Sequence, residues 1–156
     1  MSRERGEKEE MTLKKLLKEK DLYSAQLARR VGKSRHTVAF WVKRASTPKL
    51  KDIHAIANAL YVSELEVINC FIEPEEIEVK FVNHDIESFS ALLAENLITE
   101  ADLAKKLGQS RQSINYWATG KTLPQVKDLN RIAKAIGTDV LTVYNSFKER
   151  WTSRAE

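Results

Sequence analysis

The sequence predicts an all-α protein made of two tandem five-helix domains joined by a short acidic linker. The main observation is an internal repeat: residues 12–71 align with residues 88–147 without a gap, with 20 identities in 60 pairs. Within each copy, apolar residues recur at intervals of three and four, which is the period of a helix. A third observation is that acidic residues concentrate between the two copies. Two similar helical domains are therefore expected, one after the other.

The repeat and the charge pattern set the expected boundaries. We expect a polar N-terminal tail at 1–11, a first domain at 12–72, a linker at 73–87, a second domain at 88–147 and a C-terminal tail at 148–156. The chain has a net charge of +4, yet residues 73–88 hold one lysine against six acidic residues. Basic segments on both sides of an acidic one suggest two domains that face a polyanion. The alternative is two ordinary solvated surfaces.

Composition excludes several classes of protein. Of the 156 residues, 42% are hydrophobic, which is enough for packed cores. No segment approaches the roughly 18 apolar residues of a membrane helix, and the N-terminus lacks the apolar stretch of a signal peptide. The single cysteine, Cys70, agrees with a reducing compartment, so we expect a cytoplasmic protein. The three histidines lack metal-ligand spacing and no catalytic constellation is visible, so we expect no enzyme, metal, cofactor or small-molecule substrate.

Start and stop signals place the helices within each copy. A second helix is expected over about 24–31, and Gly32 ends it because glycine tolerates the left-handed conformation. Ser34 then caps a third helix. In the other copy, Thr99 and Asp102 form a capping box at the start of the equivalent second helix.

A helix, a turn with glycine and a capped helix together form a helix-turn-helix arrangement. The stretches LARRVGKSRHTVAFW and LAKKLGQSRQSINYW, with GKTLP after the second, resemble the Cro/lambda-repressor-like (XRE) helix-turn-helix family. The resemblance covers nearly the whole chain apart from the tails and the linker. The sequence departs from the family pattern in three places. Arg44 stands where the family usually has glycine, and Val42 and Ala118 stand where many members have glutamate. Ser24 and Glu100 stand where many members have a glutamine that contacts a DNA phosphate.

The resemblance implies that the third helix of each copy enters the major groove of DNA. Such a helix needs one stripe packed on its domain, and an opposite stripe that carries donors and acceptors. The packing stripes comprise Val38, Trp41 and Val42 in the first copy and Ile114, Trp117 and Ala118 in the second. The candidate base-reading residues on the outward stripes are Arg35, His36, Ala39, Phe40, Arg111, Gln112, Asn115 and Tyr116.

These residue types suit base and phosphate recognition. Arginine can contact guanine through two hydrogen bonds, and glutamine or asparagine can contact adenine in the same way. Phosphate contacts position a protein without specifying sequence. The candidates for them are Ser34, Thr37, Lys33, Lys43, Arg44, Lys49, Lys51, Ser110, Ser113, Lys121 and Lys127. The alternative for the arginines and for His36 is plain solvent exposure. Phe40 and Tyr116 fit a thymine methyl contact, packing on a neighbouring element or a protein interface.

The leading hypothesis is a sequence-specific double-stranded DNA-binding transcriptional regulator, a repressor of bacterial, phage or mobile-element type acting at the nucleoid. Because the outward stripes of the two copies differ, its two half-sites need not be identical. One alternative is an accessory factor in plasmid or phage replication, transfer or excision. Another is a protein-interaction module on the same scaffold, such as an antitoxin or phage inhibitor, favoured by Phe40, Tyr116, Glu100 and Trp151.

The linker carries a strand-like pattern. Ile77, Val79 and Phe81 alternate with other residues, which predicts a strand over 77–82. An isolated strand needs a partner, so pairing with the same strand of a second chain would form a homodimer. The alternative is an extended linker without a partner strand.

Overall fold

The computed structural model describes residues 12–73 and 75–152, apart from the side chains of residues 149, 151 and 152. The described residues form ten α-helices, one 3-10 helix and no strand, which confirms the predicted all-α class. The chain divides into two compact units, residues 1–73 and residues 74–156. The predicted N-terminal tail, the last four residues and the side chain of Trp151 lie outside the described part.

The first unit contains five helices around one core. Their bounds are α1 Leu13–Glu19, α2 Ser24–Val31, α3 Arg35–Val42, α4 Leu50–Leu60 and α5 Glu64–Ile68. Each helix turns an apolar stripe inward, and the fully buried side chains of this core include Leu16, Leu27, Val38, Ile53, Ile56 and Ile68. Cys70 is buried as well, and burial raises the pKa of its thiol to about 12. Cys70 is therefore a protonated core residue.

The second unit repeats this arrangement with a longer final helix. Its elements are α6 Phe89–Glu95, α7 Glu100–Leu107, α8 Arg111–Thr119, a 3-10 turn Val126–Asp128, α9 Leu129–Ile136 and α10 Val140–Thr152. Three aromatic rings from different helices meet in its core. Phe89 stacks on Phe147 with ring centroids 4.6 Å apart, and its ring lies edge-on to Trp117 at 6.2 Å. This contact ties α6, α8 and α10 together.

The predicted caps are confirmed where the structure describes them. The Ser34 hydroxyl accepts the backbone N–H of Thr37 at 3.1 Å, and Ser110 does the same for Ser113. Thr99 and Asp102 exchange the two hydrogen bonds of a capping box. The hydrogen bonds that Asp102 accepts from the backbone and the hydroxyl of Thr99 lower the pKa of its carboxyl group.

The left-handed backbone conformation recurs with the repeat. Within the described residues, eight have φ values between 56° and 93°, and they form four pairs, each separated by 76 positions. The pairs are Asp21 and Leu97, Gly32 and Gly108, Arg44 and Gly120, and Tyr61 and Gly137. Only one pair is glycine in both copies. At these positions the two copies therefore share their backbone conformation more closely than their residue types.

The strand predicted for residues 77–82 is absent from the described structure. Backbone N–H groups of Lys80 and Phe81 donate instead to the Gly137 carbonyl at the end of α9, at 2.7 and 3.2 Å. The Thr138 hydroxyl donates to the Phe81 carbonyl at 2.6 Å. These two N–H groups thus pair with a carbonyl that lies past the end of α9 and has no partner within that helix. The linker is extended, and it belongs to the second unit.

His84 continues this attachment. Its Nε2 atom lies 2.7 Å from an Asp139 carboxylate oxygen, and its carbonyl accepts from the Asn145 side chain at 2.9 Å. The other Asp139 oxygen caps α10 by accepting from the Thr142 N–H at 3.1 Å. Burial raises the pKa of Asp139, but the hydrogen bonds from Thr142 and His84 outweigh burial and hold the pKa below its usual value of 3.8. The ionised form therefore stabilises the fold.

Substitutions at Tyr61 and Gly137, which both have left-handed backbone conformations, should change the stability in opposite directions. Tyr61 holds φ at 59° and is 85% exposed, so Tyr61→Gly should remove backbone strain and raise the free energy of unfolding by about 1 kcal/mol. Gly137→Ala should lower that free energy by a similar amount. Calorimetric melting of the full chain measures both changes in the free energy of unfolding. Destabilisation by Tyr61→Gly would contradict the presence of backbone strain at this position.

Asp139 should contribute a pH-dependent part of the stability. Because its pKa is lowered on folding, the contribution is present above about pH 4 and is lost as the pH falls through the folded-state pKa. Asp139→Asn should therefore melt at a lower temperature than wild type at pH 7, and the gap should narrow below pH 3.8. Glu87→Gln, an exposed change in the same region, serves as the control. A gap that stays constant with pH would refute this role.

Candidate nucleic-acid interface

The third helix of each unit, α3 or α8, begins, ends and packs in the same way. α3 and α8 begin at a serine cap, and each is followed closely by a left-handed residue, Arg44 or Gly120. A tryptophan anchors the inner face: Trp41 is 3% exposed and Trp117 is 6% exposed. The remaining packing residues are buried or half-buried. The predicted division into inner and outer stripes is thus observed, and the rotation of each helix is fixed by its tryptophan.

The outward stripe of α3 is open. Arg35 and His36 are exposed at its first turn, Ala39 is half-buried, and Phe40 is 50% exposed. These residues follow each other at helical spacing and lie on the face opposite Trp41. A positive group, an imidazole and an apolar ring therefore share one exposed face.

The outward stripe of α8 is tied together by internal contacts. The Gln112 amide donates to the Tyr116 hydroxyl at 3.0 Å, and the Lys121 ammonium lies 5.1 Å from the centre of the same ring. The Asn115 amide donates to Glu100, the first residue of α7, at 3.1 Å. Arg111 is exposed beside them. The second unit therefore presents amides whose directions are already set.

The phosphate candidates differ in how accessible they are. Six basic side chains are exposed: Lys43, Arg44, Lys49, Lys51, Lys121 and Lys127. Lys33 is only partly exposed and pairs with the buried Asp52 at 3.5 Å, so its charge is partly balanced. The four hydroxyl candidates are paired within their own helices, Ser34 with Thr37 at 3.0 Å and Ser110 with Ser113 at 3.1 Å. The exposed lysines and Arg44 are thus the stronger candidates for a charge-based contact.

Arg150 is a structural residue that the sequence did not reveal. The predicted C-terminal tail starts at residue 148, whereas α10 continues through Thr152. This extension lets the Arg150 guanidinium donate to the carbonyls of Trp117 and Ala118, at 3.2 and 3.0 Å, where α8 ends. A side chain at Gly120 would overlap that guanidinium. A cation at the end of a helix also interacts favourably with its dipole.

The described residues hold no cluster of three or more side chains suited to a metal ion. Within the part of the chain that the structure covers, no helix combines the length and apolarity needed to cross a membrane.

Comparison with known families agrees with this geometry. Residues 12–71 match the family described as the Cro/C1-type HTH DNA-binding domain, and residues 90–142 match the family described as Helix-turn-helix. The chain carries two XRE-like helix-turn-helix domains in tandem. These families support a DNA-binding regulatory role and are typically not enzymatic. No curated protein and no solved structure matches the chain.

Arg150→Ala should destabilise the second helix-turn-helix domain. Loss of two hydrogen bonds from a charged donor is expected to cost about 1.5–3 kcal/mol, with faster amide hydrogen exchange in α8. Gly120→Ala should give a similar loss, because the new methyl group displaces the same guanidinium and the residue holds φ at 86°. Lys105→Ala, an exposed change on α7, is the matched control. Unchanged exchange in α8 for both variants would contradict the role of Arg150.

Proposed function

We propose that the chain is a sequence-specific regulator of transcription, acting as a repressor, that reads two unlike half-sites in double-stranded DNA through α3 and α8. The observation that carries this proposal is that α3 and α8 share their cap, first residue and buried anchor but differ in their outward side chains. Both helices have a serine cap, an arginine at the first position and a tryptophan anchor. His36, Ala39 and Phe40 of one helix correspond to Gln112, Asn115 and Tyr116 of the other.

The exposed residues give this proposal its chemistry. Arg35 and Arg111 can each donate two hydrogen bonds to a guanine, and Gln112 or Asn115 can bind an adenine edge. Lys49 and Lys51 supply attraction that does not depend on sequence. The overall net charge of +4 favours a polyanionic partner. By this proposal the protein works in the cytoplasm on chromosomal or mobile-element DNA.

Selection of binding sites from random duplexes tests the proposal directly. The selected sequences should show two different halves. Arg35→Ala should relax the preference in one half and Arg111→Ala in the other, each by about 1–3 kcal/mol of discrimination. Arg29→Ala and Lys105→Ala are matched controls, because these exposed positions correspond across the repeat and lie outside α3 and α8. If Arg35→Ala and Arg111→Ala leave both preference and affinity unchanged, the proposal is wrong.

Replacement of Lys49 or Lys51 separates backbone attraction from base reading. Each change to glutamine should weaken binding to all duplexes alike. The slope of log affinity against log salt concentration should become less steep by about 0.9 for each phosphate contact that is lost. A loss confined to one sequence would assign the lysine to base reading instead.

Phe40 favours a second candidate, a protein-interaction module on the same scaffold. Phe40 is 50% exposed on the outward face of α3, where an apolar side chain suits a protein partner as well as a thymine methyl. Purification with a stoichiometric protein partner in the absence of DNA, together with no selection from random duplexes, would support this candidate.

A further inference from the structure

The Glu100 carboxylate lies on the outward face of the second helix-turn-helix domain. Its two oxygens are 3.1 and 3.4 Å from the Asn115 side-chain nitrogen. A carboxylate accepts hydrogen bonds and does not donate them, so the amide nitrogen of Asn115 must face it. This contact settles the direction of an amide that otherwise has two equivalent orientations.

The direction matters because adenine is read by a donor and an acceptor at once. With one Asn115 N–H bound to Glu100, the second N–H and the carbonyl oxygen stay available on the outward face. Asn115 is exposed, so both groups can be reached by a ligand. The amide is then held in one orientation before any base approaches, which lowers the entropy cost of binding.

The first helix-turn-helix domain lacks this pair. Ser24 corresponds to Glu100 and Ala39 corresponds to Asn115, and an alanine methyl group neither donates nor accepts. The pair also introduces a charge. A carboxylate on a surface that faces phosphates repels them, so the two domains differ in their attraction for DNA of any sequence.

We propose that Glu100 determines how the second domain reads DNA. It acts as a positioning residue that holds Asn115 for base reading, and its charge lowers the affinity of this domain for every sequence. The second domain is thereby the weaker and more selective of the two readers. This inference rests on the proposed function, since it concerns the same outward face of α8.

Two substitutions separate the hydrogen bond from the charge. Glu100→Gln keeps an acceptor for Asn115 and removes the charge, whereas Glu100→Ala removes both. The Asn115→Ala variant first identifies the base pairs at which preference depends on Asn115. The full chain is then titrated with the selected duplex and with duplexes in which those base pairs are replaced by each of the alternatives. Glu100→Gln should bind every duplex about three- to tenfold more tightly at low salt, with a smaller gain at high salt. Glu100→Ala should show the same gain on duplexes that carry other bases, but its change in affinity for the selected duplex should be about fivefold less favourable, because the Asn115 amide is no longer held.

The two variants should differ in discrimination. Glu100→Gln should keep the preference at the base pairs that Asn115→Ala affects, and Glu100→Ala should reduce that preference about fivefold or more. Ser24→Glu is the matched change in the first domain, and it should weaken binding to all duplexes without changing preference. Thermal melting checks that all variants are folded, which matters because Glu100 is also an acidic residue in the first turn of α7.

Each part of the proposal can be overturned. If Glu100→Ala keeps the full preference that Asn115→Ala loses, Glu100 does not position the amide. If neither Glu100 variant binds more tightly at low salt, its charge does not limit affinity. If Arg111→Ala and Asn115→Ala both leave the second half-site unchanged while Arg35→Ala relaxes the first, α8 does not read DNA. That result removes the proposed role of the second domain, and the inference about Glu100 with it.

Discussion

A buried tryptophan on the inner face of α3 and of α8 is the contact on which the rest of the surface depends. Trp41 and Trp117 are almost fully buried, and each lies one turn after a fully buried aliphatic residue on the same stripe. A helix with 3.6 residues per turn has no freedom to rotate once such a stripe is packed. The serine caps then set where each helix begins. Every outward side chain inherits its direction from these two constraints.

The two copies solve the remaining structural requirements differently. The second domain adds contacts around α8: the Phe89 stack beneath it, the Arg150 guanidinium at its end and the Glu100 carboxylate beside it. The first domain has Ser24 and Ala39 in place of Glu100 and Asn115, which leaves its outward face without that contact. The two domains thus share a fold, but the outward face of α3 has few side-chain contacts within its own domain, whereas polar groups on the outward face of α8 are held by such contacts.

Local signals in the sequence were sufficient for the helices and their caps. Ser34, Thr99 and Gly32 act within three or four residues of their own position, so their roles can be read from spacing alone. Distant contacts could not be read in this way. Arg150 meets α8 more than 30 residues away, and the alternation of residues 77–82 fits both a strand and an extended segment. The left-handed conformations of Arg44 and Tyr61 have no signature in their residue type.

The assignment of base-reading residues shows the same limit. The helical period of the sequence put Asn115 and Tyr116 on the outward stripe, where Asn115 is exposed and Tyr116 is half-buried. It did not reveal that Asn115 is bound by Glu100 or that Tyr116 is bound by Gln112. Such pairs depend on the packing angle between helices, which residue spacing does not encode.

The attachment of the linker redefines where the second folding unit begins. A fragment that starts at Ser88 contains every helix of that unit but leaves the Gly137 carbonyl, the Thr138 hydroxyl and the Asp139 carboxylate oxygen that faces His84 without their partners. Unpaired polar groups at a helix end cost free energy whenever they are shielded from water. Residues 80–86 are thus part of the cooperative structure rather than a spacer. Insertions into this stretch would uncouple a helix terminus, whereas a true spacer would tolerate them.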